Sequence, residues 1–144
     1  MMKKNLFLIA LLLVAACQPK KVEPADIGLV WKAKSVKENG MLVYTEANPG
    51  SAKPGYSRFR LDLTSQEQVR FSDIDGRILS GQWSLSTDNN RLILQNLSPP
   101  PSESAGNIEF YITERPARDR LLLKRTNESR KTGNTINEYE LVPE

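Results

Sequence analysis

Between residues 27 and 142 the apolar residues recur at every second position, not at helical spacing. That period constrains the fold more than any other feature. Successive side chains of a strand face opposite ways, whereas a helix repeats about every 3.6 residues. Residues 58–63 are the clearest case: Phe59, Leu61 and Leu63 share one face, and Arg58, Arg60 and Asp62 the other. Residues 29–37 set Leu29, Trp31 and Ala33 against Lys32 and Lys34. The same reading gives strands over 41–46, 68–73, 77–86, 91–96, 107–113, 120–125 and 136–142. Val69, Phe71, Leu79, Trp83, Leu92, Leu94, Ile108, Phe110, Leu121 and Leu123 fall on inward faces.

The breaks between these runs carry turn chemistry. Asn39-Gly40 and Asp75-Gly76 tolerate the positive φ that tight hairpins need. Gly81 sits inside a strand pattern and marks a bend or bulge. Loops are expected at 48–55 and 98–106, the second stiffened by Pro99-Pro100-Pro101. The fold class expected is all-β: a single up-and-down antiparallel barrel of eight to nine strands, which leaves no unpaired edge. A two-sheet β-sandwich is the alternative. Its immunoglobulin form is disfavoured, because the Cys–Trp–Cys spacing is missing.

The N-terminal region has a different character. Lys3 and Lys4 precede an apolar run over 6–16, well short of the roughly 20 residues that span a bilayer as a helix. Val14-Ala15-Ala16-Cys17 closes the run and resembles the lipobox of bacterial lipoprotein signals. The resemblance implies cleavage between Ala16 and Cys17, diacylglycerol on the Cys17 sulfur and acylation of the new terminus. One acyl chain anchors reversibly; several on one residue make a durable anchor. The expected division is a signal peptide (1–16), a lipidated Cys17 with a flexible tether (17–26) and a barrel domain (27–144). The expected location is the cell envelope, lipid-anchored to the outer membrane and facing the periplasm, with the cell surface as alternative.

The barrel region resembles the lipocalin-like domain of small bacterial lipoproteins. The residues that carry this are Trp31, then Phe71-Ser72-Asp73-Ile74-Asp75-Gly76, Gly81-Gln82-Trp83-Ser84-Leu85 and Asp88-Asn89-Asn90-Arg91-Leu92-Ile93-Leu94. Leu121-Leu122-Leu123 follows on a late strand. The resemblance implies a calycin-type barrel, in some members with an apolar cavity. It implies no shared ligand and no shared catalytic residue.

Several chemistries are excluded by composition. The chain has no histidine, and its one cysteine is Cys17. Ser-His-Asp and Cys-His catalysis and imidazole metal sites therefore lack their side chains, and a lipidated Cys17 leaves no thiolate for a metal. Asp73-Ile74-Asp75-Gly76 lacks the register of a calcium loop and reads as a turn. No cofactor and no metal are expected, and no enzymatic activity.

Net charge gives no sign of nucleic-acid binding. The 20 basic and 17 acidic side chains leave +3; Lys3 and Lys4 belong to the signal, so the remainder carries 18 − 17 = +1. Residues 114–131 hold seven basic side chains against Glu114, Asp119 and Glu128, a local +4. That stretch contains no aromatic residue to stack a base.

The expected function is non-enzymatic binding of a small apolar or amphipathic ligand by a membrane-anchored lipoprotein. Trp31, Phe59, Phe71, Trp83 and Phe110 are the candidate ligand-binding residues. The alternative is a solid barrel that meets an envelope protein or an anionic glycolipid through its loops and basic rim.

Overall fold

The computed structural model describes residues 22–88, 90–101 and 106–144; Cys17 and the expected signal segment lie outside them. Among the described residues one helical turn, α1 (Pro24–Ile27), precedes nine strands. These are β1 (Val30–Glu38), β2 (Met41–Thr45), β3 (Arg60–Asp62), β4 (Gln68–Ser72) and β5 (Ile78–Leu85), then β6 (Arg91–Ser98), β7 (Ile108–Ile112), β8 (Leu121–Arg125) and β9 (Asn137–Pro143). All pairings are antiparallel. Strands β3 to β9 pair in sequence order, and β9 returns to β1 from Trp31↔Pro143 to Glu38↔Asn137. Eight strands thus close into a barrel, and β2 lies outside it. The sandwich does not form.

The extra strand departs from a simple meander. β2 does not pair with β3. β3 is only three residues long and covers Val30 to Lys32 of β1, so the rest of that edge is open. β2 folds back onto it, pairing Ser35 to Glu38. Asn39 (φ 50°) and Gly40 (φ 78°) make the tight turn their sequence predicts. The outer edge of β2 is itself covered: Lys53 N–H donates to Val43 O at 2.9 Å, and Thr45 N–H to Ser51 Oγ at 3.1 Å. An edge that already has partners is a poor template for a second chain.

The inward faces follow the period-two reading except where the backbone bulges. Trp31 and Ala33 are buried as expected, but Leu29 lies ahead of β1 and is exposed. The register against β9 shifts between Ala33 and Ser35, and from there Val36 and Glu38 take the inward side. Phe59 is fully buried, although it lies on the exit from a 3₁₀ turn (Pro54–Arg58) and not in a strand. Gly81 does mark a bulge, since the β5–β6 register shifts between Ser80 and Gln82. A Cβ there would stand 2.4 Å from Gln95 O.

The strand directions define two ends. The tether end holds Val22, α1, the β3–β4, β5–β6 and β7–β8 loops and the C-terminus. The hairpin end holds Asn39-Gly40, the 46–59 segment and the β4–β5, β6–β7 and β8–β9 loops. α1 starts with Pro24 at its first position and is secured by Glu23 N–H donating to Asp26 Oδ2 at 2.9 Å. Its Ile27 is fully buried in the barrel core.

The Gly81→Ala variant is expected to lose about 2 kcal/mol of stability, because backbone and not a flexible side chain must yield. Urea unfolding measures this, and a variant as stable as the parent would contradict the bulge as described.

Candidate functional site at the hairpin end

Five inward aromatics were the sequence candidates, and the barrel puts them in two places. Trp31 and Trp83 stand toward the tether end. Trp31 Nε1–H donates to Ile27 O at 2.9 Å, and Trp83 Nε1–H to Ser65 O at 2.8 Å. Each indole is thus tied to a segment that closes that end.

Phe59, Phe71 and Phe110 meet across the lumen with a fourth ring, Tyr139 of β9. Phe59 and Phe71 are 5.5 Å apart, Phe71 and Phe110 6.3 Å, Phe110 and Tyr139 5.9 Å, and Tyr139 and Phe59 4.9 Å. The contacts form a closed cycle. Three are edge-to-face and one is stacked, the arrangements that ring quadrupoles favour. All four rings are at most 2% exposed. An apolar guest among them would have to displace a ring. Phe71 also borders a cleft of about 250 Å³, but this lies on the outer wall with Arg60, Arg70 and Ile78.

Toward the hairpin end the lumen turns polar. Tyr56 Oη donates to Glu38 Oε2 at 2.7 Å, and Lys53 closes an ion pair on the other Glu38 oxygen. Asn137 Nδ2 reaches Tyr56 Oη and Tyr139 Oη, each at 3.4 Å, and Thr132 Oγ1 at 3.2 Å. Thr135 Oγ1 donates to Asn137 Oδ1 at 2.5 Å. Burial raises the pKa of Tyr56 and of Tyr139, with nearby Asp73 adding to both. Both hydroxyls therefore stay neutral and serve as hydrogen-bonding groups.

Asp73 and Arg125 complete this layer. Asp73 is 2% exposed, and Ile74 N–H donates to its Oδ1 at 2.8 Å. Burial raises its pKa, and the Ile74 N–H and the Arg125 charge oppose that rise. Arg125 Nη1 lies 4.0 Å from Asp73 Oδ2, too far for a direct hydrogen bond. The Arg125 side chain is 13% exposed, and its buried Nε has no hydrogen-bond partner. Nearby, Lys131 Nζ is 3.0 Å from Asp75 Oδ2. Partial burial pushes Asp75 up, but Lys131 and the Arg77 N–H outweigh it and hold its carboxyl below the usual range. A cleft of about 70 Å³ opens here, lined by Asp73, Ile108, Arg125, Glu128, Arg130 and Lys131 among others.

The basic stretch is divided by β8. Arg115, Arg118 and Arg120 lie at the tether end with Glu114 and Asp119; Lys124, Arg125, Arg130 and Lys131 lie toward the hairpin end with Glu128. The local +4 therefore separates into +1 and +3. Among the described residues, no group of three or more Asp, Glu, His or Cys side chains is placed to hold a metal ion. Sequence reading missed Glu38, Tyr56, Asn137 and Tyr139 as members of one network. The available signal was Asn137, a polar side chain at a position that alternates with inward Tyr139 and Leu141.

No protein-family model matches the chain, and no curated protein matches it. Among solved structures, an uncharacterized protein from Bacteroides eggerthii DSM 20697, known from a crystal structure at 2.60 Å resolution, is similar. The identity is 10% and the TM-score 0.46, over 81% of this chain and 98% of that one.

Asp73 gives a pH test. A carboxyl whose folded pKa exceeds its unfolded one favours folding while protonated. That contribution is full below the ordinary value of 3.8 and is lost as pH rises through the higher folded value. The stability of the parent relative to Asp73→Asn is therefore expected to fall across that rise and then level off. Unfolding free energies measured across acid to neutral pH check this. A difference that is flat, or that grows with pH, would contradict the raised pKa.

Proposed function

We propose that this chain is a lipid-anchored lipoprotein of the bacterial cell envelope whose lipocalin-like barrel is a non-enzymatic binding module, acting through its hairpin end. The observation that carries the reading is the contrast along the lumen. Four rings fill its cross-section, and beyond them lies a polar layer with an incompletely paired guanidinium. An apolar ligand held among Trp31, Phe59, Phe71, Trp83 and Phe110 is less well supported, because those side chains are already buried to 5% exposure or less. Filling a small barrel with its own side chains is common.

The anchor rests on the Val14-Ala15-Ala16-Cys17 pattern. It also orients the site. The five residue steps from Cys17 to Val22 reach at most about 18 Å when extended. Val22 packs against the core at the tether end. Such an anchor holds that end toward the bilayer and points the hairpin end away from it, toward the periplasm if the outer membrane is the site. The partner this arrangement favours is a polar or anionic component of the envelope.

Two measurements test the reading. Labelling with a fatty-acid analogue is expected to mark the protein and to be abolished by Cys17→Ser; labelling that survives would sink the anchor. Native mass spectrometry of protein taken from envelope extract without added lipid is expected to show the polypeptide with its own acyl groups and nothing more. A stoichiometric apolar guest, released by organic solvent, would restore the carrier reading.

A further inference from the structure

We propose that the cleft at the hairpin end is a binding site for a small oxyanion, a phosphate or carboxylate group held by Arg125 with Arg130 and Lys131. The assignment rests on the reading of the hairpin end as the binding end. It begins from an imbalance. A guanidinium cannot shed its proton in a protein, so a buried arginine must find acceptors. Arg125 stands opposite Phe110 in the β7–β8 pairing and is mostly buried. Its Nε has no partner, and the Asp73 carboxylate stops at 4.0 Å, where a charge-assisted bond would close to about 2.8 Å.

Asp73 is poorly placed to repair this. Its Oδ1 already accepts from Ile74 N–H at 2.8 Å, and its backbone oxygen accepts from Gly76 N–H at 2.9 Å. The carboxyl is thus fixed by the β4–β5 turn and not by the arginine. Lys131 keeps donors to spare, since an ammonium has three and Asp75 engages it from outside the cleft lining. The lining carries three cations, Arg125, Arg130 and Lys131, against two carboxylates, Asp73 and Glu128.

Size sets the ligand class. A cleft of about 70 Å³ is small, and its size suits a single phosphate or carboxylate group. The apolar wall from Ile108, 4% exposed, excludes bulk water on one side and strengthens the charge interaction. Pointing away from the tether end, the cleft favours a soluble anion over a headgroup of the anchoring membrane.

The test is a titration of the full chain in detergent with inorganic phosphate, against chloride at matched ionic strength, read by NMR on the arginine Nε–H resonances. The Arg125 signal is identified by its loss in Arg125→Lys. The expected result is a saturable shift of that resonance with phosphate and none with chloride. Arg130→Gln, a change at an exposed position, is expected to weaken binding about tenfold. Lys131→Gln is expected to act in the same direction.

Phosphatidylglycerol vesicles serve as a second probe. A response to phosphate alone assigns a soluble anion; a response to both assigns a headgroup. No saturable response to either, or unchanged phosphate affinity in both Arg130→Gln and Lys131→Gln, would overturn the site. Whether binding lies at the hairpin end or in the lumen is tested separately by the native mass, where an apolar guest would count against the hairpin end, so the two can fail independently.

Discussion

Closing an eight-stranded sheet on itself leaves an interior that must be filled, and here the filling is done by four rings in mutual contact. Phe59, Phe71, Phe110 and Tyr139 come from the approach to β3 and from β4, β7 and β9, so their cycle joins β4 to β7 and β7 to β9, walls that are not neighbours in the sheet. Each ring packs against two of the others. Truncating a buried phenylalanine of this kind typically costs about 3–5 kcal/mol. The hydrogen-bonded ladder closes the barrel at β1–β9, and the rings determine what the closed barrel can hold.

The polar layer depends on the same rings. Tyr139 belongs to both, with its ring in the cycle and its hydroxyl bonded to Asn137. Through Asn137 the layer reaches Tyr56 and Glu38, and beside Tyr139 lie Arg125 and Asp73. A buried network of this sort favours one arrangement only when its members are satisfied. Most are; the Arg125 Nε is the exception. In a domain with a full apolar lumen and an unfinished polar end, the proposed binding role falls to that end.

Much of the fold was legible in the residues. The alternation in 68–73, 77–86 and 91–96 placed Val69, Phe71, Leu79, Trp83, Leu92 and Leu94 inward, and all are buried. Asn39-Gly40 and Gly81 announced a hairpin and a bulge through backbone requirements that are local. The displacement of β2 was not legible. It follows from the mismatch between a nine-residue β1 and a three-residue β3, and pairing lengths are set by partners far away in sequence. The bulge near Lys34 hid Glu38 in the same way, by reversing the faces midway along a strand. The site was least legible, because Glu38, Tyr56, Asp73, Arg125 and Asn137 come together only when β9 closes on β1. The apparent basic rim misled for a related reason. A five-residue strand carries the chain across the barrel in the middle of it.

Hydrocarbon binding tests the filled lumen most directly. Toluene is titrated against the parent and against Phe110→Ala, with binding followed by ligand NMR. An engineered apolar cavity stays dry and accepts such a guest, whereas a packed interior has no room for one. The account predicts saturable binding to Phe110→Ala and none to the parent. Saturable binding to the parent, at an affinity matching the variant, would show that the lumen opens to apolar guests and would contradict the account.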